Sequence, residues 1–113
     1  MSTEELVFIR SVGAEIILMS SPLGPLFVGD IAVLQVAVRD PNLNPLTPTA
    51  ATLTVRDPHF VVATYTAVIV NDIVTANVPL LLGGRYRYKW LVTTPSGQQG
   101  ALEDSFPVTK PGF

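Results

Sequence analysis

Apolar and polar residues alternate along most of this chain, and a period of two is the pattern of β-strands rather than helices. Over residues 31–39, Ala32, Leu34, Val36 and Val38 share one face, while Gln35 and Arg39 mark the other. The alternation is cleaner over residues 51–56, where Leu53 and Val55 point inward and Thr52, Thr54 and Arg56 outward. Residues 60–70 are rich in β-branched and aromatic types and predict one long strand. After an Asn71-Asp72 turn, alternation resumes over residues 74–80. No apolar i, i+3, i+4, i+7 pattern persists, so we expect no helix.

Between residues 85 and 92 the alternate positions separate into an aromatic face and a cationic row. The aromatic face holds Tyr86, Tyr88 and Trp90, and the cationic row holds Arg85, Arg87 and Lys89. A Pro95-Ser96-Gly97 turn and a second apolar strand follow, which together predict a β-hairpin. Tyr86 comes just after two glycines at a strand start, the position of a tyrosine corner whose hydroxyl bonds upstream backbone.

Short strands separated by Pro, Gly, Asn or Asp predict an all-β, immunoglobulin-like two-sheet sandwich. A barrel built from the same strands is the alternative architecture. We expect the sandwich to occupy residues 26–109 and residues 110–113 to form a C-terminal tail. The predicted core consists of Leu34, Val36, Leu53, Val55, Val78, Tyr86, Trp90 and Phe106.

The tetrapeptide Val-Arg-Asp-Pro occurs twice, at residues 38–41 and 55–58. The similarity ends after a few residues, so a duplication is the weaker explanation. Asp accepts hydrogen bonds from turn N–H groups and Pro fixes φ for a chain reversal. The repeat therefore predicts two turns at strand ends.

Residues 1–25 fit the sandwich scheme less well, because the core strands do not need them. Two strand-like pieces in this segment predict either added strands or an arm that docks on a neighbouring subunit by β-augmentation. Partner-binding residues are expected at its apolar positions: Leu6, Phe8, Ile16, Ile17 and Leu18.

The composition is poor in charge. Asp, Glu, Lys and Arg form 14% of the chain, against about 25% in typical soluble domains. Much of the surface must then be neutral or apolar, and it either carries neutral polar side chains or is covered by another protein. A net charge of −2 argues against nucleic-acid binding, and no apolar run reaches the roughly 20 residues of a membrane span.

The residues of catalytic and metal sites are scarce. Cysteine is absent, which excludes disulfides, thiolate catalysis and zinc–cysteine sites, and His59 is the single histidine. Glu103 and Asp104 are adjacent in a predicted strand, so they face opposite ways and cannot act as a paired acid and base. We therefore expect no enzyme, no cofactor and no metal.

Several motifs resemble a bacterial immunoglobulin-like module found in bacterial surface proteins and in tailed-phage structural proteins. They are Val28-Gly-Asp30, Asp40-Pro-Asn-Leu-Asn-Pro45, Thr52-Leu-Thr-Val-Arg-Asp-Pro58, Gly84-Arg-Tyr-Arg-Tyr-Lys-Trp90 and Ser105-Phe-Pro-Val108. The similarity covers about three quarters of the chain. It implies the sandwich fold more strongly than any function, because this fold carries many unrelated tasks.

Surface modules of this kind usually follow a signal peptide and recur in tandem. This sequence opens with Glu4 and Glu5, where a signal peptide needs positive charge, so we expect a protein made in a host cytoplasm. The resemblance then implies a tailed-phage virion component that decorates or cements the capsid, with the major capsid protein or another virion protein as partner. A homo-oligomer is also compatible. The alternative is a module that binds a carbohydrate or a host surface.

The cationic row, Arg85, Arg87 and Lys89, is the second predicted partner-binding element. Arg makes bidentate contacts with carboxylates, so the row could bind an acidic protein surface. The other interpretation is a solvated strand face that discourages aggregation.

Overall fold

The structure, a computed structural model, describes the backbone of residues 7–10 and all of residues 16–110. Within these ranges it is all β and contains no helix, and therefore no helix that could cross a membrane. The strands are β1 (Val7–Arg10), β2 (Ile17–Ser20), β3 (Ile31–Arg39), β4 (Ala50–Arg56), β5 (Val62–Thr66), β6 (Val68–Val70), β7 (Ile73–Pro79), β8 (Gly84–Thr93) and β9 (Gln99–Val108).

The strands form two antiparallel sheets. One has the order β1-β2-β3-β7-β6 and the other the order β5-β4-β8-β9. The sheets pack face to face, with β2 over β9 and β7 over β5. The predicted two-sheet sandwich is confirmed, and the barrel is not formed.

The core lies between the sheets and follows the alternation of each strand. In β8, buried and exposed residues alternate from Arg85 to Val92. Trp90 is completely buried, and its cross-strand neighbours are Leu53 on β4 and Leu102 on β9. All eight predicted core residues are buried. The indole N–H of Trp90 has no hydrogen-bond acceptor among the described residues, so apolar packing holds this side chain in place.

Tyr86 forms the predicted tyrosine corner. Its hydroxyl accepts a hydrogen bond from the backbone N–H of Leu82 at 3.2 Å, and its ring stacks on Phe106 with centroids 5.4 Å apart. The phenol therefore fixes the loop before β8 while its ring fills the core.

The two Asp-Pro repeats form the same turn. The Asp40 carboxylate accepts the N–H groups of Asn42 and Asn44, each at 2.9 Å. The Asp57 carboxylate likewise accepts the N–H groups of His59 and Val61, at 2.8 and 3.0 Å. The prediction that Asp caps these turns is confirmed, and His59 is a turn residue.

Both turns place a bulky residue in the left-handed region at their fourth position. Leu43 has φ 67° and Phe60 has φ 66°. Their side chains are 53% and 73% exposed. A non-glycine residue in this conformation costs about 1–2 kcal/mol, so the capping hydrogen bonds and the flanking strand pairs must hold the turn.

One predicted strand is wrong in its extent. Residues 60–70 were expected to form a single strand, but the chain leaves one sheet after Thr66 and joins the other at Val68. Ala67 lies partly buried between the two segments. β5 pairs with β4 and β6 pairs with β7, so the chain closes this side of the sandwich. The β-branched composition is continuous over residues 60–70, so the sequence does not indicate where the chain passes from one sheet to the other.

For residues 1–25, the described part of the segment forms added strands. β2 pairs with β3 from Ile17↔Arg39 to Ser20↔Val36, and β1 pairs with β2. Ile16, Ile17 and Leu18 are at most 2% exposed, so they are unavailable to a partner and their prediction as partner-binding residues is wrong. Leu6 lies outside the described residues, and Phe8 is described only as a backbone position on β1.

Trp90→Ala should lower the free energy of unfolding by about 3–5 kcal/mol, because it leaves a cavity between the sheets. Trp90→Phe should cost less, since it keeps an aromatic ring and removes a buried N–H without an acceptor. Urea denaturation measures both. A loss below about 1 kcal/mol for the alanine variant would place Trp90 outside the core.

Leu18→Ala should cost about 2–5 kcal/mol, because Leu18 belongs to the shared core. Met19→Ala is the matched control on the same strand, because Met19 points the other way and is only partly buried. Deleting residues 1–25 should prevent folding. A truncated chain with the full-length thermal midpoint would show instead that these residues form a dispensable arm.

Candidate functional site

The cationic row lies on the outer surface of the four-stranded sheet. Arg85, Arg87 and Lys89 are exposed, because they occupy the strand positions opposite to the buried aromatic residues. The alternation of β8 therefore places the row where the sequence predicted. Its surroundings come from the two neighbouring strands, β4 and β9.

Arg56 on β4 adds a fourth cation to the row. Its direct cross-strand partner on β8 is Arg87. We call this group of four residues the cationic face: Arg56, Arg85, Arg87 and Lys89. They are four of the seven Lys and Arg residues of the chain. The alternation of residues 51–56 also predicts that Arg56 points outward, but nothing in the sequence connects it with the row. Pairing β4 with β8 in antiparallel register would have brought the two arginines together.

Little within the described residues neutralises this face. Lys89 Nζ lies 3.9 Å from Glu103 Oε2, with both side chains more than half exposed. Arg85 donates a hydrogen bond to the Ser105 hydroxyl at 2.9 Å. The Arg56 guanidinium lies 5.2 Å from the ring centroid of Phe60, a cation–π distance. Arg87 has no ion pair in the part of the chain that the structure describes.

Two shallow depressions flank the Arg56–Arg87 pair. One, of about 550 Å³, is bordered by Thr54, Val62, Lys89 and Glu103 as well as by both arginines. The other, of about 290 Å³, is bordered by Pro58, Phe60 and Arg85 and by the same pair. Both are open to solvent. Guanidinium groups line both, together with Glu103 and Asp104 in the first and Asp57 in the second. They can accept carboxylates from a broad partner surface, but they do not enclose a small substrate.

At the edge of the same sheet, Asp104 occupies an inward-facing position of β9 and is nevertheless exposed. Its carboxylate accepts the N–H of Ser105 at 2.8 Å, and Pro107 offers no N–H. An inward charge and a proline on an edge strand both discourage pairing with another sheet. The long strand β9 is thus protected at residues 104–107.

Tyr88 lies beside Asp104 and is 7% exposed. Burial and, to a smaller extent, the negative charge of Asp104 raise the pKa of Tyr88 to about 12, while a side-chain interaction with Ser20 acts in the opposite direction. Ser20 belongs to β2 and Tyr88 to β8, so these two side chains come together between the two sheets.

The remaining polar residues assemble no reactive group in the described part of the chain. No cluster of three or more His, Asp or Glu residues that could hold a metal ion is present there. Glu103 lies opposite Lys89 and Asp104 opposite Tyr88, on the two faces of β9.

No protein-family model matches the sequence, and no curated protein matches it either. Among solved structures, CopC from Methylosinus trichosporium OB3b is similar, with a TM-score of 0.62 over 96% of this chain and 97% of that chain. The two sequences are 14% identical. At this identity the likeness shows the fold alone, an all-β sandwich.

The raised pKa of Tyr88 predicts a loss of stability at alkaline pH. An unfolded tyrosine ionises near pH 10, whereas the folded chain holds this proton to about pH 12. The folded state therefore binds more protons in this window, and the free energy of unfolding falls as pH rises through it. Below pH 10 the contribution of Tyr88 is constant.

Denaturation at several pH values, compared with Tyr88→Phe, measures this effect. The variant should lose stability less steeply between pH 10 and pH 12. Identical slopes would show that Tyr88 titrates as in the unfolded chain.

Proposed function

We propose that this protein is a non-enzymatic assembly protein that docks on an acidic surface of a protein partner through the cationic face. The observation that carries the proposal is the direct opposition of Arg56 and Arg87 across β4 and β8, with Arg85 and Lys89 beside them. The site is broad, shallow and exposed, as a surface for protein docking is.

The direct opposition of Arg56 and Arg87 does not favour folding. Like charges directly opposite on neighbouring strands destabilise a sheet. Lys89 is the one member with an ion pair within the described residues, and that pair is too exposed to contribute much. A partner that neutralises these charges would explain why they lie together. Guanidinium groups bind carboxylates in a bidentate geometry, so an acidic protein surface fits this role.

We further propose that the protein belongs to a tailed-phage virion, in which it decorates or cements the capsid. It rests on the resemblance of the Gly84–Trp90 strand and the Asp-Pro turns to modules of phage structural proteins. The neighbouring genes test it. Capsid or tail genes would support a virion protein, and glycan-processing genes would contradict it.

The second candidate, a carbohydrate- or host-surface-binding module, needs aromatic rings presented to a ligand. Tyr86, Tyr88 and Trp90 are all buried and cannot serve. Of the described aromatic residues, Phe27 and Phe60 have exposed rings. Phe60 already contacts Arg56, so its ring belongs to the border of the cationic face.

Replacing Arg56, Arg85, Arg87 and Lys89 by Gln should weaken binding to immobilised poly-glutamate at least about tenfold at low salt, because four charge contacts are lost. The salt dependence of binding should also become shallower. The thermal midpoint should stay unchanged or rise, since like-charge repulsion is removed. Lys110→Gln is the control: it removes an exposed cation outside the cationic face and should leave binding nearly unchanged.

Duplex DNA serves as a second probe in the same binding assay. Weaker binding to DNA than to poly-glutamate at physiological salt is the result that a surface for an acidic protein partner predicts. Equal binding of both probes would contradict a protein-specific surface. Unchanged poly-glutamate binding by the four-Gln variant at low salt would show that the cationic face is only solvated.

A further inference from the structure

The two edges of the four-stranded sheet differ in their protection. β9 forms one edge, where Asp104 and Pro107 discourage pairing with another strand. β5 forms the other edge, and residues 60–66 contain no charged residue and no proline. The register of β5 with β4 is continuous over the whole strand, without a bulge. The charges, prolines and bulges that protect an edge strand are therefore absent from β5.

The free backbone groups of β5 lie at alternate residues. The N–H of Asp57 donates to the carbonyl of Val61 at 2.9 Å, so these two residues form a hydrogen-bonded pair next to β4 and β5. Hydrogen-bonded and non-hydrogen-bonded pairs alternate along an antiparallel ladder, so every second residue of β5 points its N–H and C=O groups away from β4. These residues are Val62, Thr64 and Thr66, and all three are exposed. Backbone donors and acceptors at this spacing fit another β-strand.

We propose that β5 pairs with β5 of a second copy of this chain, so that two four-stranded sheets join into one eight-stranded sheet. An antiparallel alignment centred on Thr64 places Thr64 opposite Thr64 of the second copy and Val62 opposite Thr66. All three free positions of both strands are then used, and they exchange about six hydrogen bonds. An antiparallel pair of identical strands has a two-fold axis, which is the symmetry of an isologous dimer. Each copy covers the unprotected edge of the other.

The side chains on the outer surface suit this alignment. Val62, Thr64 and Thr66 lie on the outer side of β5, because their partners on β4 include the outward-facing Thr54 and Arg56. Two threonines directly opposite each other are among the cross-strand pairs that stabilise antiparallel sheets. No side chain on β5 carries a charge, so the two strands meet without repulsion.

On the inner side of the same edge lies an apolar depression of about 300 Å³. Its border includes Val61, Ala63, Tyr65 and Leu81, with Asp57 at one end. Val61 and Leu81 are 61% and 75% exposed. The alignment places Ala63 opposite Tyr65 of the second copy, so a small residue meets a large one on each side of the two-fold axis. The apolar area covered by each tyrosine adds to the main-chain hydrogen bonds.

The two cationic faces stay apart in this dimer. Three strand spacings, about 14 Å, separate β4 of one copy from β4 of the other. Arg56 lies opposite Val62, and the alignment displaces the two copies of Val62 by four residues, about 13 Å along the strands. The two Arg56 positions are thus about 19 Å apart, beyond the Debye length of about 8 Å at physiological salt. Both cationic faces lie on the same side of the joined sheet.

Sedimentation velocity of the full chain over a range of concentrations tests the proposal. We expect a dimer with a dissociation constant below about 100 µM. Thr64→Pro should raise this constant at least about tenfold, because it removes the central free N–H and leaves the hydrogen bonds between β5 and β4 in place. Thr64→Val is the matched control: it keeps every backbone donor and should leave the dissociation constant within about threefold of the wild-type value.

Circular dichroism and the thermal midpoint must show that the proline variant is folded. Thr64→Lys is the second variant, because Thr64 is exposed and the substitution keeps the backbone intact. It places two lysines directly opposite each other in the dimer, so it should also raise the dissociation constant at least about tenfold.

Amide hydrogen exchange of the wild-type chain identifies the strand that forms the contact. The N–H groups of Val62, Thr64 and Thr66 should exchange more slowly as the protein concentration rises. A chain that stays monomeric up to about 100 µM would overturn the proposal. So would a dimer in which these three amides stay unprotected, or one that the folded proline and lysine variants still form. The four-Gln variant of the cationic face should dimerise like the wild type, so neither result depends on an acidic partner.

Discussion

The single layer of side chains enclosed between the two sheets is the constraint on which the rest of this molecule depends. Every strand from β2 to β9 except β5 and β6 contributes fully buried apolar residues to it, and Trp90 is the largest. Because successive side chains of a strand point to opposite sides, the residues buried between the sheets determine which residues lie on the outer surfaces. The cationic face is the reverse side of the Tyr86, Tyr88 and Trp90 positions, and the outer surface of the five-stranded sheet is formed by the alternate positions of β3 and β7.

The outer surfaces of the two sheets carry different kinds of side chain. Four cations lie on the outer surface of one sheet, and the docking that we propose for them would weaken with salt. The outer surface of the opposite sheet carries exposed aliphatic side chains and a hydrogen bond between Gln35 and Thr75. A low charge content is thus compatible with a stable fold, because the few charges are concentrated on one sheet and in the turns.

Local patterns were sufficient to predict most strands, the core residues, the tyrosine corner and the capping role of Asp40 and Asp57. Contacts between distant segments were not predictable. Arg56 meets Arg87 only through the β4–β8 pairing, and the crossing at Ala67 depends on which sheet each half joins. The burial of Ile16 and Leu18 likewise follows from pairing of β2 with β3, which no pattern within residues 1–25 reveals.

Native-state amide hydrogen exchange tests most directly whether β2 through β9 form one cooperative core. The account predicts that the sheet-paired amides of β2 exchange as slowly as those of β3, β4, β7 and β8, through the same global unfolding step. They should also share one dependence on denaturant. Exchange of the β2 amides at a much lower opening free energy, with the remaining strands protected, would contradict it and return this segment to a separable arm.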